Sequence, residues 1–152
     1  MYTLRDAAPD DAGAVAALVD AAYGHYVNRI GTLPGPMRDD YAAAVRDRRV
    51  LVAAPTAAPG ALAGVLVLDV ADEGFLLDNV AVHPDHQGHG LGHLLLDRAE
   101  AEARAAGFDS IYLYTHELMT ENQAIYAGRG YVEYARRTEN GLTRVFMRKA
   151  LA

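Results

Sequence analysis

A short apolar stretch that runs directly into a glycine-rich loop constrains the fold of this chain more than any other feature. Residues 80–93 read VAVHPDHQGHGLGH, with glycines at positions 88, 90 and 92. Glycine has no Cβ, so it adopts left-handed backbone angles and lets a ligand approach backbone N–H groups closely. Helical spacing begins immediately after the loop, and a helix start adds unpaired N–H donors and a positive dipole end. The segment therefore predicts a strand, a diphosphate-binding loop and a helix.

The remaining chain alternates apolar runs with helical periodicities. Strands are predicted at 2–5, 50–54, 61–70, 75–82, 111–115, from 131 onward and at 142–148, and helices from 9 to 22, 37 to 47, 91 to 106 and 120 to 128. Asn140-Gly141 predicts a two-residue hairpin turn before the last strand. The runs at 50–54 and 61–70 are apolar throughout, which is typical of strands covered on both faces. We expect one α+β domain over residues 1–152, with a mostly antiparallel central sheet.

Charge and composition exclude several classes of function. The net charge is −6, whereas nucleic-acid binding depends on clustered lysine and arginine, so we expect no nucleic-acid partner. The absence of cysteine removes disulfides, thiolate zinc sites and a cysteine nucleophile. No stretch approaches the ~20 apolar residues that cross a bilayer, and acidic residues near the N-terminus interrupt any secretory signal. We therefore expect a cytoplasmic protein without a membrane partner.

The glycine loop does not fit two common nucleotide-binding patterns. A dinucleotide fingerprint needs G-x-G-x-x-G, but its third glycine position is His93, and a P-loop needs a lysine that the loop lacks. The loop does fit Q-x-x-G-x-G through Gln87, Gly90 and Gly92. This pattern, between a strand and a long helix, resembles the acetyl-coenzyme A signature of the GNAT acetyltransferase superfamily.

A second motif extends the resemblance. Residues 122–131 read NQAIYAGRGY, similar to the closing motif of that family, in which a helix carries a tyrosine just before a glycine-aromatic pair. The two motifs occur in the family's order, and the elements before them also match. The resemblance implies a GNAT-like mixed sheet flanked by helices on both faces. It also implies an N-acetyltransferase that uses acetyl-coenzyme A.

The resemblance assigns roles to matching positions. It places the pantetheine arm of the cofactor along Val80, Ala81 and Val82, and its diphosphate at Gln87, Gly88, His89, Gly90, Leu91, Gly92 and His93. Tyr126 is implied as the general acid that protonates the departing thiolate. A phenol with a pKa of about 10 can donate to a thiolate whose conjugate acid has a pKa near 8.5. The alternative is that Tyr126 only packs in the core.

The chain also departs from the family pattern. The family often has an asparagine seven residues before the tyrosine, where this chain has Met119. Asn122 lies one helical turn before Tyr126 and is the candidate replacement as a cofactor contact, unless it is only a solvated helix residue. A common position for a catalytic glutamate corresponds to Tyr114. Asp78 is therefore the candidate general base, with an acid at the rim of the sheet as the alternative and Glu73 as a weaker candidate.

Four histidines in and around the loop allow two interpretations. A zinc site would suit imidazole ligands, but H-x-x-H-x-x-H through a glycine turn is no established ligand spacing, so we expect no metal. The other interpretation is that one or two of them lie near phosphate. No lysine or arginine occurs between Arg49 and Arg98, so an imidazole is the only cation that the loop can offer. We then expect coenzyme A to bind more tightly as the pH falls, and we expect this pH dependence to differ in His89→Ala.

The acceptor of the acetyl group is a small-molecule or peptide amine by the same resemblance, with Tyr26 and Arg29 as candidate contacts. A tyrosine ring can stack on the acceptor, and a guanidinium can bind a carboxylate with two hydrogen bonds. A surface helix end is the alternative for both residues. The leading hypothesis is direct attack by the amine in a ternary complex; the competing one is a non-catalytic module that binds or senses acyl-coenzyme A. The final hairpin offers an edge for a possible homodimer.

Overall fold

The computed structural model describes residues 1–151, which contain seven strands and five α-helices. The strands are β1 (Tyr2–Asp6), β2 (Arg49–Pro55), β3 (Gly64–Ala71), β4 (Gly74–Val82), β5 (Ser110–His116), β6 (Val132–Glu139) and β7 (Leu142–Ala150). The helices are α1 (Ala12–Tyr23), α2 (Tyr26–Ile30), α3 (Tyr41–Asp47), α4 (Leu91–Ala105) and α5 (Thr120–Gly128). Short 3₁₀ turns lie at Pro9–Asp11, Gly35–Arg38 and Pro84–His86.

All seven strands join one sheet in the order β1-β2-β3-β4-β5-β7-β6, and every neighbouring pair is antiparallel except β4 and β5. That parallel pair is short, because only Phe75–Leu77 lie opposite Ile111–Leu113. Both strands continue beyond the paired residues, β4 to Val82 and β5 to His116. The sheet therefore opens into a wedge at its centre.

Helices cover both faces of the sheet. Leu91, Leu95 and Ala99 of α4 are buried with Leu66 and other residues of the central strands on one face. On the other face, α1 and α3 are buried with a second cluster that includes Val65 and Val67. The predicted fold class is confirmed. None of the described helices combines the length and the apolarity that crossing a bilayer requires.

The end of α4 follows the sequence-based prediction. Gly107 has φ +87°, and the N–H of Phe108 donates to the carbonyl of Ala103 at 3.0 Å, as in a Schellman cap. The Phe108 ring packs against Phe75, with 5.5 Å between ring centroids. Leu94 is 40% exposed, because its side chain lies outside the face of α4 that packs on the sheet.

Two predicted boundaries were wrong. The helix expected over 37–47 begins at Tyr41, because Gly35–Arg38 forms a separate 3₁₀ turn and the Asp40 carboxylate caps the helix by accepting from the N–H of Ala43 at 3.1 Å. The strand expected from residue 61 begins at Gly64. The short helix α2, which follows α1, was not predicted.

The predicted hairpin turn is present, with positive φ at both Asn140 (+51°) and Gly141 (+76°), as a type I′ turn requires. It leaves β6 at one edge of the sheet. This edge strand carries the ion pair of Arg136 with Glu133, and charged side chains are typical of edges that resist pairing with another chain. The homodimer stays a prediction.

Candidate active site

Two clefts open from the wedge between β4 and β5, and they meet at four side chains that line both: Tyr23, Val80, Asn122 and Tyr126. We call the first the loop-side cleft, since it runs along residues 80–82 and the glycine loop; its volume is about 660 Å³. We call the second the hairpin-side cleft, since it extends toward the β6–β7 hairpin; its volume is about 380 Å³. Both volumes are in the range of small-molecule sites.

The loop-side cleft collects almost every residue predicted to bind the cofactor. Its lining includes Val80, Ala81, Val82, Gln87, Gly88, Gly90, Leu91, Gly92, His93 and Asn122. His89 is the exception, because it does not line the cleft and its Nδ1 lies 3.4 Å from the hydroxyl of Tyr2. His86, which the sequence analysis did not select as a cofactor contact, lines the cleft instead.

Left-handed backbone angles shape the loop. Gly88 and Gly90 both have φ +82°, a conformation that costs other residues about 1–2 kcal/mol, and Gly90 is the N-cap of α4. The Gln87 side chain donates to the carbonyl of Val82 at 3.2 Å, which ties the loop to the end of β4. The glycine spacing in the sequence therefore encodes the backbone path that turns the chain from β4 into α4.

The loop fits a diphosphate on two observations. A Cβ built at Gly88 or Gly90 meets no protein atom within 4 Å, so the space beside these two positions is open to a ligand. The first intrahelical bond of α4 runs from the N–H of Leu94 to the carbonyl of Gly90 at 3.1 Å. The N–H groups of Leu91, Gly92 and His93 precede that bond and lie at the positive end of the helix dipole, where an anion is stabilised.

One arginine from outside the loop reaches its edge. Arg129 follows α5, and its Nη1 lies 3.4 Å from Nδ1 of His93. Its charge is already balanced, because Nη2 donates to Asp97 at 2.6 Å and to Glu100 at 2.9 Å. The Glu100 side chain is 6% exposed and also accepts from Lys149 at 2.8 Å. Arg129 therefore joins α4 to the end of α5 beneath the loop.

Tyr126 lies at the meeting point of the clefts and is 7% exposed. Among the described residues, none forms a hydrogen bond with its hydroxyl, whereas the neighbouring Tyr23 hydroxyl lies 2.9 Å from both Asn79 Oδ1 and the Val80 carbonyl. The Tyr23 proton is therefore committed to the protein, and that of Tyr126 is available to a ligand. Burial, and secondarily the nearby Tyr26, raises the pKa of Tyr126 above its usual value, so the phenol stays protonated at neutral pH.

Asp78 lines the hairpin-side cleft and takes part in an ion-pair network. Its carboxylate pairs with Arg48 and accepts a hydrogen bond from the Tyr114 hydroxyl at 3.2 Å. Arg48 also binds Asp39, at 2.9 Å. Burial raises the pKa of Asp78 above its ordinary value, and the positive charge of Arg48 opposes that rise. Burial also raises the pKa of Tyr114 to about 12. The weaker candidate base, Glu73, lines neither cleft.

A buried polar network beside Asp78 was missed by the sequence analysis. Asn79 is 6% exposed; its Oδ1 accepts from Tyr23, and its Nδ2 donates to the Tyr41 hydroxyl at 3.0 Å. A β-bulge causes this arrangement, because Val67 lies opposite Asn79 while the next residue of β3 lies opposite Leu77. The extra residue, Asp78, breaks the alternation of the strand, so Asp78 and Asn79 both line the hairpin-side cleft.

The structure places the two predicted acceptor contacts away from the hairpin-side cleft. Tyr26 is 5% exposed and lines the loop-side cleft. Arg29 lines neither cleft, because its guanidinium binds Glu121 with two hydrogen bonds and donates to the carbonyl of Leu118 at 3.1 Å. The Arg29 guanidinium lowers the pKa of Glu121 to about 2. Arg29 therefore connects α2 to the start of α5.

The histidines of the loop contact protein groups of their own. His86 and His89 face the Tyr2 hydroxyl, and Nδ1 of His83 accepts from the N–H of Asp85 at 3.1 Å. Within residues 1–151, no group of three or more histidine, aspartate or glutamate side chains is placed to hold a metal ion.

The end of a strand and the start of a helix form a loop that suits a diphosphate. A protonated phenol and a second cleft lie beside this loop, and the arrangement suits an acyltransferase that binds coenzyme A. Residues 15–131 match the model of the acetyltransferase (GNAT) family, and the chain belongs to this family. The predictions of the family, the acyltransferase class and the coenzyme A cofactor are confirmed. Comparison with curated protein sequences finds no significant match.

Solved structures of related proteins share the fold over nearly the whole chain. A GCN5-related N-acetyltransferase from Rhodopseudomonas palustris is 27% identical with a TM-score of 0.73, over 98% of this chain and 95% of that one. The PaiA N-acetyltransferase from Thermoplasma acidophilum, solved with coenzyme A, is 16% identical with a TM-score of 0.79, over 99% of each chain. The ribosomal-protein-S18-alanine N-acetyltransferase from Escherichia coli is 20% identical with a TM-score of 0.77, over 100% of this chain and 95% of that one.

Proposed function

We propose that this chain is an N-acetyltransferase that transfers the acetyl group of acetyl-coenzyme A to a primary amine by direct attack in a ternary complex. The observation that carries this proposal is the meeting of two clefts at Tyr126. One cleft has the loop for the cofactor, and the other offers separate space for an acceptor. Direct transfer needs both reactants bound at once with their reacting atoms in contact, and two connected clefts provide this.

The cofactor supplies an activated acetyl group as a thioester. Residues 80–82 and the glycine loop hold it, and Asn122 at the meeting point of the clefts is the side-chain contact. In the transfer, the C–N bond to the acceptor forms and the C–S bond breaks. Tyr126 donates its hydroxyl proton to the sulfur, because that proton is not committed to another of the described residues, and the phenolate regains a proton from water before the next turnover.

Asp78 is the proposed acceptor of the amine proton, directly or through water. An alkylamine has a pKa near 10.4 and must lose its proton to act as a nucleophile. Burial raises the pKa of Asp78 toward the working pH, which strengthens it as a base, while Arg48 keeps it ionised. As the pH falls, protonation of Asp78 removes the base, so kcat/KM of the wild type should fall on the acidic side. Asp78→Asn should lower kcat. The fall of kcat/KM at acidic pH should also be smaller in this variant, because Asp78 no longer contributes to it.

A thiol-release assay over a panel of amines tests the activity, with Tyr126→Phe as the control. Release of thiol that depends on the amine, and that falls in the variant, supports the proposal. Coenzyme A binding without turnover of any amine in the panel would contradict it and favour a non-catalytic acyl-coenzyme A module. Equal pH profiles for the wild type and Asp78→Asn would remove Asp78 from the mechanism.

A further inference from the structure

The hairpin-side cleft carries two arginines that the proposed chemistry does not use. Arg38 comes from the 3₁₀ turn before α3, and Arg144 comes from β7. Both line the same cleft as Asp78, although they are far from it in sequence. Cationic side chains that face a substrate cleft attract an anionic group when their charge is not neutralised by the protein.

Arg144 is held in place while most of its donors stay available. Its guanidinium carbon lies 4.9 Å from the centroid of the Tyr114 ring, and its side chain is 19% exposed. Its one ion pair within the described part of the chain, with Glu139 at 3.3 Å, is long, and the Glu139 side chain is 57% exposed to water. Exposed pairs of this kind contribute little. The stacked, planar guanidinium is therefore oriented for a ligand and only weakly neutralised.

Among residues 1–151, Arg38 has no acidic partner. It donates to the carbonyl of Leu33 at 2.8 Å and to the hydroxyl of Thr32 at 3.0 Å, and within residues 1–151 no carboxylate lies within 4 Å of its guanidinium. Gly35 begins the turn that carries Arg38, and a Cβ built on Gly35 lies 3.3 Å from Nη2 of Arg144. The turn that carries Arg38 therefore lies against Arg144, and both arginines line the hairpin-side cleft.

The negative charge of Asp78 lies at the hydroxyl end of Tyr114, the tyrosine whose ring contacts Arg144. The Tyr114 hydroxyl donates to Asp78, whereas the Tyr114 ring lies against Arg144. The single guanidinium of Arg48 is shared by Asp78 and Asp39, so this group of three side chains keeps one net negative charge. The cleft therefore carries negative charge at the hydroxyl end of Tyr114 and the positive charge of Arg144 against the ring of the same residue.

We propose that the acceptor is a small aminocarboxylate, which places its amine toward Asp78 and its carboxylate against Arg144 and Arg38. This inference rests on the proposed N-acetyltransferase function and names its class of substrate. Two guanidinium groups can bind one carboxylate through charge-assisted hydrogen bonds. A neutral amine of the same shape would leave both cations without a partner.

The test compares each acceptor with its carboxamide. The probes are the twenty amino acids and the linear series glycine, β-alanine and γ-aminobutyrate, each measured beside its amide by thiol release at saturating acetyl-coenzyme A. The amine of an amide loses its proton more easily than that of the acid. We therefore compare the acid-to-amide ratio of kcat/KM between protein variants, where this difference cancels. For the preferred acceptor, the ratio should fall at least tenfold in Arg144→Gln and also fall in Arg38→Gln.

Arg137→Gln is the matched control. Arg137 also stacks on an aromatic ring, with 4.3 Å from its guanidinium carbon to the centroid of Phe146, but it pairs with Glu73 and does not line the cleft. Its ratio should equal that of the wild type. Equal ratios in the wild type and in both cleft variants would overturn the inference, and so would a wild type that turns over only amides. If Arg144→Gln fails to fold, the exposed Arg38 gives the same test.

A binding measurement separates this inference from the proposed activity. Calorimetry with the coenzyme A-saturated protein gives the Kd of the same amino acids and amides without any turnover. Carboxylate-dependent binding that is weakened in Arg144→Gln supports the inference even if no amine releases thiol, a result that would contradict only the transferase proposal. Binding that does not distinguish acid from amide overturns the inference.

Discussion

Replacing Tyr126 by phenylalanine removes one hydroxyl and keeps the ring, so the substitution should lower the rate of transfer and leave the fold intact. General acid catalysis contributes roughly 10²–10⁴-fold to a rate, so kcat should fall by at least about 100-fold, equivalent to about 2.7 kcal/mol. The hydroxyl has no hydrogen-bond partner among the described residues, so its removal should leave the free energy of unfolding unchanged or slightly raised. The KM for acetyl-coenzyme A should stay near that of the wild type, since the ring is retained.

The pH dependence sharpens this prediction. Burial penalises the phenolate and raises the pKa of Tyr126 above its usual value of about 10, so the residue remains protonated throughout pH 7–9. The ratio of the wild-type kcat to that of Tyr126→Phe should therefore be constant over this range. Steady-state thiol release at saturating substrates, together with urea unfolding of both proteins, measures the two effects separately.

Tyr131 provides the matched control for this experiment. Its ring packs edge-on against Tyr126 at 5.9 Å between centroids, and its hydroxyl is buried without a partner among the described residues. Tyr131→Phe should leave kcat unchanged and should keep or slightly raise stability, because a buried unsatisfied group is removed. A Tyr126→Phe enzyme that retains a third or more of the wild-type kcat would refute the assignment of the general acid.

Three further predictions concern the loop and the helix that follows it. Gly90→Ala and Gly107→Ala should each lose about 1–2 kcal/mol of stability, because both glycines have positive φ, but only Gly90→Ala should weaken coenzyme A binding, by about tenfold in calorimetry. Glu100→Ala should lower the free energy of unfolding in urea by about 3 kcal/mol, since it leaves two cations without their buried partner; a loss below 1 kcal/mol would contradict this. His86→Ala should weaken coenzyme A binding in calorimetry, because His86 lines the loop-side cleft, whereas His89→Ala, outside the cleft, should leave the Kd unchanged.

Local sequence signals predicted most of the fold. Gly107 and Asn140-Gly141 mark a helix end and a hairpin, because the backbone angles at these positions suit few other residues. The helix start predicted at Met37 lies at Tyr41, where the Asp40 side chain caps α3. Boundaries inside a segment rich in glycine and proline depend on contacts with distant elements, and periodicity does not carry that information.

More of the lining of the loop-side cleft than of the hairpin-side cleft could be predicted from the sequence. The loop-side cleft is built from one continuous segment and its backbone, so a motif can describe it. The hairpin-side cleft combines Asn79 with Tyr41, and Asp78 with Arg48, across long separations in the chain. The bulge that brings Asp78 and Asn79 into one cleft has no sequence signature of its own. Such a site is visible only once the strands are assembled.

The short pairing of β4 with β5 has a mechanical consequence. Three residue pairs join β1–β4 to the β5–β7–β6 part of the sheet, so the wedge is the weakest line across it. A molecule bound there would contact residues 80–82 on one side and α5 on the other, and would connect the two parts of the sheet. Binding at 100 times its Kd would add about 2.7 kcal/mol to the stability of the folded chain. Amide protons beside the wedge should then exchange more slowly with solvent, because the bound cofactor connects β4 and β5 where their backbones do not pair.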